Sequence, residues 1–288
     1  MNDADNYQDA YHCFLLNDFN KTLTLVERIE KKSSRIYNKA QILKYLSYIA
    51  QQNSKKVLNE IKINENSSEL KLIRAIANYQ VTRKLQEVPE EIFDQESNPD
   101  SFVFTLAGIL YSQMGDDPNA LQVLLMSDNL LCDFLRNRIY LKMNRLDLSK
   151  LTIDQMISKD EDALETILAQ AYYGIFEQSH SCLKQSLSIF QEIQEKYGQN
   201  IFSYNCIGIA MLLLDNYEDA KVELNEASCL NSEDQDTLIN LNYLNNRLKK
   251  MFNSPVNNIE KLPIENLLSQ KISQKEGEFD TFGQSFCV

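Results

Sequence analysis

Glycine and proline are scarce: seven and five in 288 residues, about a third of the roughly 12% that average usage supplies. An all-β sandwich needs a turn roughly every 8–12 residues and is excluded by so few punctuators. Dinucleotide folds and P-loop enzymes are excluded with it, because their phosphate loops are built from glycine. Histidine is scarcer still. His12 and His180 are the whole supply, and neither has a Cys or His companion at metal spacing. No G-x-S-x-G, H-E-x-x-H or Gly-rich phosphate motif occurs. The run Asp160-Glu161-Asp162 reads as dipole partners of a helix N-terminus rather than a cation site. An enzyme is the disfavoured class, and no cofactor or metal is expected.

Signals for export or membrane insertion are not seen either. The opening residues MNDADNYQDAYH are acidic and polar, unlike a secretory leader. The longest apolar run, Cys206 to Leu214, has nine residues, about half a membrane span. Cys13, Cys132, Cys182, Cys206, Cys229 and Cys287 form no C-x-x-C pair. They read as reduced thiols packed in apolar helical surroundings, and the expected location is cytoplasmic.

What is present is a globular chain, 43% apolar, with a net charge of −12. That acidity disfavours nucleic acid, whose phosphates need a basic face. The charge is uneven. Residues 1–84 carry 14 basic and 9 acidic side chains, the remainder 15 and 32. Either the helix faces are solvated differently, or the N-terminal third meets an acidic protein surface or an anionic membrane.

An internal repeat organises the rest. Phe104, Ala107, Gly108, Tyr111, Ala120, Leu124 and Ser127 recur 100 residues later as Tyr204, Ile207, Gly208, Met211, Ala220, Leu224 and Ala227. Order and spacing resemble the tetratricopeptide repeat, a helical hairpin of roughly 34 residues. Gly108, Ala120, Gly208, Ala220 and Ala227 are the expected packing positions, small so that paired helices approach closely. Gly115-Asp116-Asp117-Pro118 and Asp215-Asn216 fall at the turns, with Asp117 expected as N-cap and Pro118 as first helical residue. Weaker copies span 5–32, 36–62, 68–97, 130–156 and 160–197, the last opening on a capping-box spacing from Ser158 to Glu161. The fold class is all-α. Residues 1–251 read as one tetratricopeptide-like solenoid of about seven to eight hairpins. Residues 252–288 read as a connector and a C-terminal helix packed on it.

In such a solenoid the first helix of each hairpin lines the concave wall. Its inward places here hold Phe102 and Ile109, then Phe134 and Leu141, then Phe202, Ile209 and Leu213. An apolar wall implies an apolar ligand, most simply a protein segment; the competing reading buries the wall against the protein itself. Of the Lys, Asn and Arg that chaperone-tail readers place there, only Arg138 and Asn205 have counterparts.

Several stretches together resemble the family of the epsilon subunit of coatomer, the COPI vesicle coat. They are YLSYIAQQNSKKVLNEIK (45–62), ALQVLLMSDNLLC (120–132), KMNRLDLSK (142–150), KDEDALETILAQAY (159–172) and KEGEFDTF (275–282). The resemblance implies a non-enzymatic coat protein that binds and stabilises the C-terminal region of the alpha subunit. It also implies other coatomer subunits as partners, peripheral recruitment to Golgi membranes and COPI vesicles, and service in retrograde Golgi-to-ER and intra-Golgi transport. The alternative is another cytosolic tetratricopeptide adaptor or co-chaperone that binds a peptide segment.

Overall fold

The computed structural model describes residues 2–30, 34–62, 67–84 and 102–251. These residues form fourteen α-helices and no strand, an all-α solenoid of helical hairpins. Contacts divide the chain into two compact units, Met1–Glu192 and Ile193–Val288. The connector and final helix expected over 252–288, Cys287, and the second half of the pair expected at 68–97 lie outside the described residues.

The N-terminal unit contains α1 (Asp3–Leu15), α2 (Phe19–Val26), α3 (Ser34–Ala50), α4 (Ser54–Glu60) and α5 (Ser68–Thr82). It continues with α6 (Val103–Met114), α7 (Asp117–Leu124), α8 (Leu130–Lys142), α9 (Leu146–Lys159) and α10 (Leu164–Glu177). Helix α11 (His180–Tyr197) crosses the boundary in sequence. The second unit follows as α12 (Ile201–Leu213), α13 (Tyr217–Leu230) and α14 (Gln235–Met251).

One backbone device recurs where the first helix of each hairpin ends. Asn17, Gln52, Arg83, Gly115, Asn144, Gln178 and Asp215 all adopt left-handed φ values between 55° and 80°. Neighbouring members of this series lie 29 to 37 residues apart, the period of the repeat. Beyond the turn residue, the next N–H returns to a carbonyl five residues back. Asp18 bonds to Cys13 at 2.9 Å, Asn53 to Tyr48 at 2.8 Å, Asp116 to Tyr111 at 2.9 Å, Arg145 to Tyr140 at 2.8 Å and Asn216 to Met211 at 2.9 Å. This closure satisfies carbonyls that the helix end would leave unpaired.

Within hairpins the small residues set the approach. A Cβ built on Gly108 would fall 2.5 Å from a Leu124 methyl, and one on Gly208 would fall 2.8 Å from a Leu224 methyl. Ala120, Ala220 and Ala227 are fully buried. Leu124 joins Cys132 and Ile139 in one core cluster, and Leu224 joins Leu212 and Leu244 in another. Between hairpins of the N-terminal unit, first helices stack in the order α1, α3, α5, α6, α8, α10, and α1 returns against α10. The first helices therefore close a ring.

Local expectations need several corrections. Asp116, not Asp117, is the N-cap of α7: its carboxylate accepts the Asn119 N–H at 3.3 Å, while Asp117 and Pro118 are already helical. Ser158 starts no capping box. It lies in the last turn of α9, its hydroxyl donating to the Asp154 carbonyl at 2.9 Å. Asp160-Glu161-Asp162 form the link ahead of α10, where the Asp160 carbonyl accepts from the Thr166 hydroxyl at 2.8 Å. His180 is the first residue of α11. Among the described thiols Cys132 is buried, Cys13, Cys182 and Cys206 are half-buried, and Cys229 is exposed.

Candidate partner-binding surface

In the N-terminal unit the predicted wall lies largely inside the ring. Phe102, Phe134 and Leu141 are buried, and Ile109 is half-buried. Phe102 caps the start of α6, its N–H donating to the Glu69 carboxylate at 3.1 Å. Phe134 stacks on Tyr172 of α10 with ring centres 6.1 Å apart, and Tyr172 in turn meets Phe190 of α11 at 6.3 Å. Aromatic pairs at these separations add to the burial energy of each ring.

Helix α1 brings a polar seam into this interior. The Tyr11 hydroxyl donates to the buried carboxylate of Glu165 on α10. Tyr7 stacks on Tyr11 with centroids 6.3 Å apart. Burial, and then the nearby Glu165 carboxylate, push both phenols above their ordinary value; Glu69 adds to the effect at Tyr7. Sequence reasoning passed over Tyr7, Tyr11 and Glu165, because nothing in a repeat pattern pairs positions in the first and sixth hairpins.

A second polar cluster anchors α8. The Asp133 side chain, 1% exposed, pairs with Arg136 and receives the Lys159 ammonium of α9 at 2.7 Å. Lys159 also pairs with Asp128. Asn137, likewise buried, accepts from the Ser149 hydroxyl of α9 at 2.5 Å. These bonds fix the α8–α9 register, a structural duty.

The C-terminal unit presents its wall differently. Along α12, Ile207, Gly208, Ala210 and Leu212 are buried, whereas Phe202, Ile209 and Leu213 are half-exposed. Positions 202, 209 and 213 share one helix face by spacing. Beside them Asn205 is committed internally. Its amide donates to the Thr237 hydroxyl of α14 at 2.7 Å, and its carbonyl accepts from Asn240 at 2.8 Å. Thr237 passes the chain on to Asp234, which caps α14. Asn205 thus ties α12 to α14 and is not available to hold a peptide carboxylate. Arg138 on α8 is exposed.

Among the described residues no three His, Cys, Asp or Glu side chains could together hold a metal ion. Among them, too, no helix is long and apolar enough to cross a membrane. The arrangement is suited to recognising a polypeptide: apolar side chains on rigid helices, set by polar bonds to neighbouring helices.

A family model described as the coatomer epsilon subunit matches residues 3–287. Coatomer subunit epsilon of Dictyostelium discoideum is 28% identical over 253 residues, covering 81% of this chain and 81% of that protein. Coatomer subunit epsilon-1 of Arabidopsis thaliana is 24% identical over 249 residues, with 85% of each chain covered. Coatomer subunit epsilon of Caenorhabditis elegans is 25% identical over 242 residues, with 82% of each covered.

Proposed function

The chain belongs to the coatomer epsilon-subunit family, and from that premise we propose that it binds and stabilises the C-terminal region of the coatomer alpha subunit. It is a structural component of the COPI coat, not an enzyme, and it assembles with other coatomer subunits. Its place is the cytoplasmic, peripheral face of a coated membrane. The finer reading is recruitment to Golgi membranes through those other subunits, in support of retrograde Golgi-to-ER and intra-Golgi transport. The observation that carries the proposal is the family match over nearly the whole chain.

The surface that serves it starts from Phe202, Ile209 and Leu213, half-exposed on one face of α12. Each large side chain buried against a partner contributes roughly 1.5–3 kcal/mol, so a few anchors suffice. Of the N-terminal anchors expected from the repeat, only Ile109 is partly accessible, since Phe102, Phe134 and Leu141 are buried.

Titration with the recombinant C-terminal region of the alpha subunit tests this. Phe202→Asp with Ile209→Asp is expected to abolish binding, because two carboxylates would have to be desolvated at the interface. Circular dichroism should show helical content retained. Intact folding with undiminished binding would remove α12 from the interface. Failure of the wild-type chain to bind at all would remove the alpha-subunit reading.

A further inference from the structure

Helices α3, α4 and α5 carry a charge opposite to that of the whole protein. Residues 34–62 and 67–84 hold ten Lys or Arg and two Glu, in a chain whose net charge is −12. Both carboxylates are engaged. Glu60 takes the Lys44 ammonium at 3.1 Å, and Glu69 accepts the Phe102 N–H at 3.1 Å. Lys55 and Lys56 of α4 are exposed, and among the described residues neither is paired with a carboxylate. Like charges press on one another elsewhere in α3: burial, and then the Arg35 guanidinium, push the Lys39 ammonium below its ordinary value.

The cations are held in place. The Lys56 ammonium lies 3.9 Å from the centre of the Tyr48 ring, and the Lys44 ammonium lies 5.7 Å from the same centre. Lys44 is also 5.2 Å from the centre of Tyr45. Tyr48 is 8% exposed, so a packed ring fixes two ammonium groups where α3 meets α4. At the other end of α4 the Arg74 guanidinium donates to the Leu58 carbonyl at 2.7 Å and to the Ile61 carbonyl. It satisfies acceptors that the helix end leaves open and keeps a third cation on this face.

We propose that the α3–α4 face around Tyr48 docks an acidic polypeptide segment, whose carboxylates pair with Lys55 and Lys56. Charge complementarity of this kind steers the encounter and excludes wrong partners. A narrow segment touches the basic face alone. A flat anionic membrane would also meet the acidic remainder of the chain, and charges separated by less than about 8 Å are poorly screened at physiological salt. Of the exposed large apolar side chains among the described residues, only Val81 belongs to these helices, so the face has little to insert between lipids. This docking surface is separate from the α12 face and stands whether or not the alpha-subunit reading does.

The test titrates the full chain with a fluorescein-labelled decaglutamate peptide, read by anisotropy at physiological ionic strength. Lys55→Glu with Lys56→Glu is expected to weaken binding at least tenfold. Lys150→Glu with Lys221→Glu makes the same change of charge at exposed positions elsewhere, and is expected to leave binding within a factor of three. Carbodiimide crosslinking should join the peptide to Lys55 or Lys56. Both variants should melt with the parent, since all four side chains are exposed. If the first melts early, Lys55→Gln with Lys56→Gln replaces it and should still weaken binding several-fold. No binding by the parent overturns the proposal, and so do equal losses in the two variants or crosslinks confined to other helices. Vesicles of three parts phosphatidylcholine to one of phosphatidylserine complete the test. If they bind the parent through Lys55 and Lys56 while the peptide does not, lipid is the partner and the polypeptide proposal falls.

Discussion

Gly174 of α10 packs so closely on α11 that a Cβ there would lie 2.7 Å from the carbonyl oxygen of Cys182. The Ser186 hydroxyl fills the rest of the space, bonded to the Ala171 carbonyl at 2.9 Å and the Cys182 carbonyl at 3.0 Å. At Gly108 and Gly208 no backbone carbonyl comes that close: the atoms within 3.1 Å of such a Cβ all belong to a leucine side chain.

The difference can be measured. Overpacking costs typically about 1–3 kcal/mol, and a backbone carbonyl yields less than a leucine rotamer. Gly174→Ala should fall at the upper end of that range and Gly208→Ala at the lower, read from urea midpoints. Gly208→Leu should be the most damaging of the three. Equal melting temperatures for Gly208→Leu and the parent would contradict the close approach of α12 and α13.

The ion cluster of α8 gives a second outcome. Asp133→Ala removes the shared acceptor of Arg136 and Lys159 and strands a guanidinium that is largely buried. Breaking a buried pair from one side costs roughly 3–5 kcal/mol. The exposed pair Arg145–Asp147, at 2.6 Å, is the control: Arg145→Ala should leave the melting temperature unchanged, because water and salt screen it.

Turn residues offer a stabilising change. Gln178 is exposed and holds φ at 63°, where a side chain is strained and glycine is not. Gln178→Gly relieves that strain but frees the unfolded chain somewhat. The balance should be a gain of about 0.5 kcal/mol, visible as a higher thermal midpoint.

Alkaline pH should act on the N-terminal unit through Tyr7 and Tyr11. Both phenols are held above their ordinary value of 10.0 in the fold. Between the unfolded and folded values, the folded chain keeps protons that the unfolded chain has lost. Their contribution is whole below pH 10 and declines above it, by up to about 1.4 kcal/mol per pH unit for each group. Tyr7→Phe with Tyr11→Phe should flatten that decline. An unaltered slope above pH 10 would show that the two hydroxyls stay solvated.

Much of the fold was legible in the chain because a hairpin repeat is written locally. Gly108 and Gly208, with Ala120 and Ala220 twelve residues further on, mark the close approach of paired helices in plain residue types. Gly115 and Asp215 mark two of the turns. The other turns were harder to read, since Gln52 and Gln178 adopt the left-handed conformation with residue types that do not advertise it. Cap positions slipped by one at Asp116 because two successive aspartates precede Pro118, and only backbone geometry selects between them.

By itself the sequence determined the helical class, the period of the hairpins, the small residues at their seams and the family likeness. Each depends on neighbours within about one repeat, where spacing along the chain and distance in space agree. The tertiary structure decided what became of the wall. Phe134 and Leu141 look inward in the same way as Ile209 and Leu213, yet the first two are buried and the last two half-exposed. It also decided that Asn205 would serve α14 and that Tyr11 would find Glu165. The curvature that closes α1 on α10 is the sum of small rotations at every hairpin, and no single segment of sequence encodes a sum.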